Sequence, residues 1–514
     1  MDKSMDTLEG RLRVKSVSLQ VPIEEEVNLE RQMADVDHVV GQSIRFFKEQ
    51  VQVGESKTTV QGSIGYRILY AAAGGGAKLC SISGSIPFAQ SIVLEKEPDW
   101  EVEVHVEIGA STVKRLNSRK LSVFAMVNLY GEAYSAQRQS YIKDITGAVE
   151  KRFATMPYSR MIGHGTTAVS IKEAMSLPEN EPDISRILYE NVELRGVELI
   201  PGEGQLTMRG EVAVFMVYEG EEPEGSVRYY ADTLVVEEHC EYPGIGEASM
   251  PTMRYEIVSA QVKEAPNEDG QMRHLHVSIE MEIAYTGYEN EELRYLADAY
   301  AKQERIILKN TECLMEKSRS CQLMRVSVDE TFAPSGEERL LMIYPVGAKV
   351  QMEKPELLEG ELMVEGTVVC TLLYVGMSGI QPAVTELTIP FHKTIHREEK
   401  ATDEKAHWEA NVWGDVASFH VAILNGTQAE VRVTVNLTAV TQQVASCHLI
   451  TDIQSEPYEE PCGPGMVGAV LSSSEELWEL AKENRTTVDT ILRINELSEA
   501  DVKPGIPVLV CQNL

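Results

Sequence analysis

Two histidine pairs are the side chains of this 514-residue chain whose spacing could serve a metal site. His274 and His276 alternate along a predicted strand and lack the carboxylate and histidine spacing that is typical of such a site. His392 and His396 are four residues apart, but their segment also has the pattern of a strand, which would place them about 13 Å apart. That distance is too long for two ligands of one ion. The histidines therefore predict no metal site.

The other catalytic patterns are also incomplete. Gly74-Gly-Gly76 follows a predicted strand, but no Gly-Lys-Ser/Thr comes after it, so it predicts a hairpin and not a phosphate loop. No Gly-x-Ser-x-Gly segment is present, and no cysteine has an obvious histidine partner. Only Cys313 and Cys321 of the eight cysteines are near each other, and their spacing fits no zinc pattern. We therefore expect a protein that is not an enzyme and that holds no cofactor and no metal.

The charge of the chain argues against two further classes of ligand. The formal net charge is −33, from 80 acidic and 47 basic residues, which would repel nucleic acid and anionic lipid. The N-terminal segment lacks the apolar core of a signal peptide. No stretch approaches the roughly 20 apolar residues that cross a bilayer. We therefore expect a cytoplasmic protein that binds no nucleic acid and inserts into no membrane.

The elements that make up most of the chain are repeated. A glycine, seven residues and a tyrosine close an apolar stretch three times, at Gly62–Tyr70, Gly210–Tyr218 and Gly366–Tyr374. The copies lie roughly 150 residues apart, which is the size of a domain. Ile86-Pro-Phe88 and Ile389-Pro-Phe391 follow the first and third copies, whereas the second has Leu234-Val-Val236. A shorter similarity, Glu132-Ala-Tyr134 with Asp298-Ala-Tyr300, marks the exits of the first two copies.

Alternating strands fill the repeats. Polar and apolar residues alternate along Glu101–Ile108, His276–Ile283 and Glu430–Leu437, as in a sheet with one solvated face. Short strands between turns predict a mainly β fold of three tandem antiparallel repeats, each a sandwich or barrel. These tandem repeats resemble the SPOCS domain, formerly called DUF3794, which spore-forming Firmicutes carry in spore-associated proteins. The resemblance covers roughly residues 17–455.

The C-terminal fifty residues have a different pattern. Val467–Leu471 and Ile506–Val510 are predicted strands that flank two predicted helices, a small α+β module of βααβ order. Ser473 and Glu476 match a capping box at the first helix, and Thr486 and Asp489 match one at the second. The predicted division is a tail at 1–16, repeats at 17–150, 151–310 and 311–454, a linker at 455–465 and this module at 466–514. If the repeats are separate domains, limited proteolysis should cut near 140–165, 305–325 and 455–465.

The module resembles the LysM family through Glu476–Leu497 and Val502–Gly505. In that family, ligands lie in a groove between the loop before the first helix and the loop after the second. The resemblance implies a partner-binding or glycan-binding groove here, to which we add Trp478. Its residues are Ser472, Ser473, Ser474, Glu475, Trp478, Glu496, Leu497, Ser498, Glu499 and Asp501. For Trp478, packing against the second helix or a protein is favoured over stacking on a sugar, and Asn495 is interpreted as holding the turn after the second helix.

Two features of the module favour a protein ligand over a glycan. LysM modules that bind N-acetylglucosamine polymers commonly have Gly-Asp-Thr in the first loop and glycine after the first helix. This chain has Ser473-Ser-Glu475 and Asn484-Arg485 at those places. The module is also acidic, with eight acidic and four basic side chains, a net charge of −4 (4 − 8).

The arrangement of three such repeats before a LysM module resembles the SipL family of clostridial spore coat morphogenetic proteins. That resemblance implies a scaffold of coat assembly in the mother-cell cytosol at the forespore surface. It also implies that the module binds the coat-basement ATPase, stage IV sporulation protein A, and that the chain contacts other coat proteins. The alternative is an accessory protein of the cell wall or cortex that binds peptidoglycan. A LysM-targeted wall hydrolase would need a catalytic constellation that the sequence does not offer.

Overall fold

The chain folds mainly into antiparallel β-sheets, as the sequence predicts. The structure is a computed structural model. It describes residues 2–74, 78–95, 97–221, 226–242, 246, 249–334, 339–377, 382–396, 407–459, 465–472 and 476–512. Most of the predicted Gly74–Gly76 hairpin, Gly75 and Gly76, lies outside these residues.

The first unit is a sandwich of two three-stranded sheets. Its strands are β1 (Lys3–Asn28), β2 (Val36–Val53), β3 (Thr58–Ala72), β4 (Leu79–Ile92), β5 (Trp100–Asn117) and β6 (Lys120–Ile145). One sheet has the order β1-β6-β5 and the other β2-β3-β4. The inward faces of both sheets are buried in one hydrophobic cluster, with Ile64 and Ile68 on β3 and Val123 and Leu129 on β6. The alternation of the sequence is thus the alternation of buried and solvated faces.

The same strand order recurs twice more. The second unit contains β7 (Glu150–Ser176), β8 (Ile184–Pro201), β9 (Gln205–Gly220), β10 (Ser226–Glu241), β11 (Thr252–Pro266) and β12 (Met272–Tyr300). The third contains β13 (Glu304–Phe332), β14 (Leu340–Met352), β15 (Glu356–Leu358), β16 (Glu361–Gly376), β17 (Ala383–His396), β18 (His407–Asn425) and β19 (Gln428–Pro457). The second unit has the sheets β11-β12-β7 and β10-β9-β8. The third has β13-β19-β18 and β14-β16-β17, and β15 also pairs with β16.

The Gly-x7-Tyr segments lie in β3, β9 and β16, the central strand of the sheet in each unit that does not contain the first and last strands. A Cβ atom at Gly62 or Gly366 would overlap the backbone of the neighbouring strand and the ring of Phe46 or Phe391. At the other end of the motif, the Tyr70 hydroxyl donates to the carbonyl oxygen of Ala34 at 3.1 Å. The glycine therefore permits close packing, and the tyrosine ties the loop before β2 to the sheet.

These central strands are buried on both faces. In β9, Val212–Tyr218 is buried without interruption. Val214 and Met216 face the core of their own sandwich, whereas Phe215 and Val217 face a cluster shared by all three units. That shared cluster, here called the central cluster, consists of Val40, Leu69, Ala71, Leu79, Leu188, Tyr189, Phe215, Val217, Val346, Leu373 and Val375. A continuous apolar run is the sequence pattern of a strand with two buried faces.

The long first and last strands of the units also meet. Ile142, Leu296 and Ile450, at equal intervals along the chain, belong to one buried cluster. Polar contacts join every pair of units. Arg13 donates to the Asn411 side chain at 2.7 Å, Tyr189 donates to the Gln42 carbonyl oxygen at 3.1 Å, and Asn191 donates to the Val346 carbonyl oxygen at 2.8 Å. The three units therefore form a closed arrangement in which the third contacts the first.

The element bounds differ from the predicted division in places. Residues 3–16, predicted to lie in an N-terminal tail, form the first part of β1 and pair with β6. Leu8 and Leu12 are buried there, so the strand pattern begins earlier than expected. The predicted boundary at 310/311 lies inside β13, and the predicted linker at 455–465 begins inside β19. The assignment of each unit to a SPOCS-like repeat stays a prediction.

The structure pairs two cysteines that are distant in sequence. Cys313 on β13 lies directly opposite Cys447 on β19, with their Sγ atoms 3.2 Å apart. Spacing along the sequence drew attention to Cys313 and Cys321 instead. The register between the first and last strands of a unit, which the sequence does not specify, determines the true neighbour.

Asp415→Asn is expected to stabilise the protein at neutral pH. Burial raises the pKa of the Asp415 carboxyl to about 6, while a hydrogen bond from Asn436 lowers it. Because the folded pKa lies above the unfolded value, the native state binds the extra proton and stability falls as pH rises from about 4 to 6. The variant should gain about 1–3 kcal/mol near pH 7.5 and nothing near pH 4. Urea unfolding at both pH values measures this, and equal gains at the two would contradict it.

Candidate functional site

The C-terminal module has the βααβ order predicted from the sequence. Strands β20 (Gly465–Val470) and β21 (Pro507–Gln512) pair antiparallel, and α1 (Glu476–Glu483) and α2 (Val488–Ile494) lie between them. A single 3₁₀ turn, Glu499–Asp501, follows α2. The core contains Leu471, Leu477, Ala481, Ile491, Leu492, Val508 and Val510. Leu477 and Ala481 are four residues apart, so they share the inward face of α1.

The partner of Glu476 at α1 and the cap of α2 each lie one residue away from the predicted position. The Glu476 carboxylate accepts from the backbone N–H of Ser472 at 2.7 Å, whereas the predicted partner was Ser473, which lies outside the described residues. At α2 the cap is Thr487, whose hydroxyl accepts from the Thr490 N–H at 3.1 Å. The predicted cap, Thr486, is buried, and its N–H donates to the Ala481 carbonyl oxygen. Either of the two adjacent threonines could cap α2 by its side chain. Thr486 is bonded to the end of α1, so Thr487 forms the cap.

Asn495 holds the turn after α2, in agreement with the sequence interpretation. Its side-chain N–H donates to the carbonyl oxygens of Ile491 at 2.7 Å and Leu509 at 2.8 Å. Its side-chain oxygen accepts from the Leu509 N–H at 2.8 Å. One amide therefore joins α2 to β21. This contact positions the loop that follows.

That loop, residues 496–501, is termed the second loop. The Asp501 carboxylate accepts from the Ser498 N–H at 3.0 Å and the Ser498 hydroxyl at 2.6 Å, and these bonds lower the pKa of Asp501. The Leu497 side chain packs on the module core. Glu496, Ser498 and Asp501 are exposed. The second loop is thus internally bonded and still accessible.

Only part of the predicted groove can be placed. Ser472 is exposed, and its neighbour Leu471 exchanges backbone hydrogen bonds with Gly505 and Ile506, which follow the second loop. The first loop therefore begins beside the chain that leaves the second. The groove residues Ser473, Ser474 and Glu475 and the side chain of Glu499 lie outside the described residues.

Trp478 faces the second unit. Its indole Nε1–H donates to the Asp298 carboxylate at 2.7 Å, and its ring packs edge-on against Tyr300 with centroids 4.9 Å apart. The guanidinium of Arg152 lies 5.5 Å from the indole ring centroid. Lys482, one turn along α1, also binds Asp298, at 2.7 Å. The polar edge of Trp478 is therefore engaged by strand β12.

Asp298 and Tyr300 contact the module, and the sequence reasoning did not assign them. The signal was the Asp298-Ala-Tyr300 segment, which was interpreted only as a repeat landmark. The Tyr300 hydroxyl donates to the Thr486 carbonyl oxygen at 2.9 Å, and Tyr300 is buried in the hydrophobic cluster of the module. Arg485 lies over the ring of Tyr458, 3.5 Å from its centroid. The module and the repeat body thus share an interface.

Three further observations concern metal sites, clefts and membrane spans in the described part of the chain. Within it, no group of three histidine, cysteine or carboxylate side chains is arranged to hold a metal ion. A cleft of about 340 Å³ between the first and second units is lined by Arg45, Arg67 and Lys263, and Arg67 is paired with Glu190 at 3.2 Å. No helix among the described residues is long and apolar enough to cross a membrane.

Comparison with known proteins gives one family. No curated protein and no solved structure matches the chain. A family model described as "SipL, SPOCS domain" matches residues 35–115. The matched segment contains β2, β3 and β4, with most of β5, and therefore the first Gly-x7-Tyr segment. Residues 35–115 of the chain are thus similar to the SPOCS domain of SipL, and this likeness points to a sporulation-related protein.

Proposed function

We propose that the chain is a non-catalytic scaffold of spore coat morphogenesis. The observation that carries the proposal is the match of residues 35–115 to the SipL, SPOCS domain family model. The order of the sheets in that unit recurs in the next two, so the same surface type is offered three times in one body. When several weak binding surfaces belong to one rigid body, binding at one raises the effective concentration at the others, so the overall affinity increases. Such a body suits the joining of other coat proteins.

The C-terminal module is proposed to act as a LysM domain that binds stage IV sporulation protein A, the coat-basement ATPase. This contact would attach the coat to the forespore surface from the mother-cell cytosol. The support is the second loop, where Glu496, Ser498 and Asp501 are exposed. The bonds from Ser498 hold the Asp501 carboxylate in place and lower its pKa. A rigid acidic loop favours a protein partner with basic or hydrogen-bond-donor groups.

Reversal of the Glu496 charge is expected to weaken binding of the ATPase. Glu496→Lys on the full chain should raise the Kd about tenfold, because it places a cation where the partner meets an acidic loop. The matched control is Glu483→Lys, which makes the same charge change at an exposed position of α1 outside the second loop. The control should leave the Kd within about twofold. Surface plasmon resonance on both variants measures the difference.

The competing ligand is peptidoglycan. Binding of N-acetylglucosamine polymer by the full chain, together with no binding of the ATPase, would overturn the proposal in favour of the cell-wall alternative. Equal effects of Glu496→Lys and Glu483→Lys would remove the second loop from the interface. Neither variant alters a described hydrogen bond of the core, so circular dichroism should be unchanged.

A further inference from the structure

Three aspartates occupy the same place in the three units. Asp144, Asp298 and Asp452 recur at equal intervals, each close to the end of the last strand of its unit. In each case the Oδ1 atom accepts from the N–H of the following residue, at 2.7, 2.8 and 2.9 Å respectively. In each unit the last strand pairs with the first strand, and the register of that pairing shifts next to the aspartate. These carboxylates therefore lie at three equivalent junctions between units.

A lysine from the next unit closes two of these junctions. Asp144 binds Lys151 at 2.8 Å, and Asp452 binds Lys3 at 2.6 Å. Both lysines lie opposite the residue that follows the aspartate of their own unit. Lys3 lies opposite Ile145, which follows Asp144, and Lys151 lies opposite Ala299, which follows Asp298. The first strand of one unit thus supplies a cation to the last strand of the unit before it. The pair from Lys3 to Asp452 joins the first unit to the third.

The remaining junction lacks that lysine. The equivalent position in the third unit is Leu308, which lies opposite Ile453. Lys482 of the C-terminal module occupies the corresponding role and contacts both oxygens of Asp298, at 2.8 and 2.7 Å. With the module in place, the side chain of Asp298 is 9 % exposed, compared with 50 % for Asp144 and 41 % for Asp452, which no module covers. The module therefore covers only one of the three junctions. It is the junction at which the next unit has a leucine in place of the lysine that binds the aspartate.

We propose that the end of β12 is a docking surface for the C-terminal module of the same chain. Asp298 receives Lys482 and the indole N–H of Trp478, and Tyr300 receives the Trp478 ring. The occupant is specified by chemistry. The Asp298 carboxylate receives no lysine from the register position that supplies Lys3 and Lys151 in the other units, and the module offers a lysine and an indole donor from adjacent turns of one helix.

Docking sets the orientation of the module. It turns the Trp478 face of α1 toward the body and leaves Glu496, Ser498 and Asp501 exposed. Trp478 is then a docking residue, and the second loop is the surface that remains for a partner. This consequence for partner binding rests on the proposed function, whereas the docking itself does not.

Iodide quenching of Trp478 tests the docking in the full chain without any partner. The contribution of Trp478 is the difference in quenching between a protein and the same protein carrying Trp478→Phe. Asp298→Asn removes the buried charge, and Leu308→Lys supplies the missing lysine so that it competes with Lys482. Each is expected to raise the Trp478 quenching constant about threefold.

Asp144→Asn is the matched control, because it removes the same carboxylate from a junction closed by Lys151. Trp478 quenching should stay at the level of the unaltered chain in this control. Unchanged quenching in both Asp298→Asn and Leu308→Lys would overturn the docking surface, and so would an equal rise in Asp144→Asn. Leu308→Lys keeps the test decisive if Asp298→Asn does not fold. Loss of ATPase binding would bear on the proposed function alone.

Discussion

Arg319→Met is expected to lower the free energy of unfolding by about 3–5 kcal/mol, because it leaves a buried carboxylate without its cation. Arg319 and Glu316 are 7 % and 5 % exposed and form two hydrogen bonds, at 2.7 and 2.9 Å. Arg319 also donates to Gln442 at 2.7 Å and to Thr252 of the second unit at 3.1 Å. Its guanidinium lies over the ring of Tyr288, 3.6 Å from the centroid. One side chain thus joins two units.

Guanidinium-chloride unfolding measures this loss, and two variants bracket it. Arg432→Met breaks an exposed pair with Glu430 and should cost less than about 1 kcal/mol. Glu316→Met combined with Arg319→Met removes both charges and should recover much of the loss, since no unpaired charge stays buried. A double variant as unstable as Arg319→Met alone would show that the loss comes from packing and from the other hydrogen bonds.

Phe215→Ala is expected to destabilise all three units together, by about 3–5 kcal/mol. Phe215 is 2 % exposed in the central cluster, between Tyr189 of its own unit and Tyr344 of the third. Leu69 of the first unit and Leu373 of the third line the same cluster. A cavity there removes contacts from every unit, so the loss should be cooperative.

Hydrogen exchange distinguishes this outcome from a local one. In Phe215→Ala, amide exchange should accelerate in β3 and β16 as well as in β9. Val235→Ala is the control, because Val235 lies on the neighbouring strand β10 and is 80 % exposed, so the change should cost less than about 0.5 kcal/mol. Faster exchange confined to the second unit would contradict a shared core.

Local pattern was enough to predict the strands and the order of elements in the C-terminal module. The alternating segments Glu101–Ile108 and Glu430–Leu437 lie in β5 and β19, and the cap of α2 differs by one residue from the predicted one. The continuous apolar run at Val212–Tyr218 contained more information than the reasoning used, because both of its faces are buried. Attention to that run could have indicated contact between the units.

The contact between the first and third units could not be predicted from local pattern. The pair between Lys3 and Asp452 joins residues at opposite ends of the repeat region, and neither residue is unusual in its own segment. Likewise, Trp478 was assigned to packing on the second helix or a protein. It packs on the module core, and its indole N–H also contacts β12 of its own chain, which local pattern does not indicate. The expected cleavage near 140–165 follows from separate domains. In the structure, Tyr141, Ile142 and Tyr158 in that segment are buried between units.

The proposed scaffold function is tested most directly by titration of the full chain with purified stage IV sporulation protein A, beside a parallel titration with N-acetylglucosamine oligomer. Isothermal calorimetry provides both affinities under one set of conditions. The account predicts saturable binding of the ATPase and none of the oligomer. Binding of the oligomer without binding of the ATPase would contradict it.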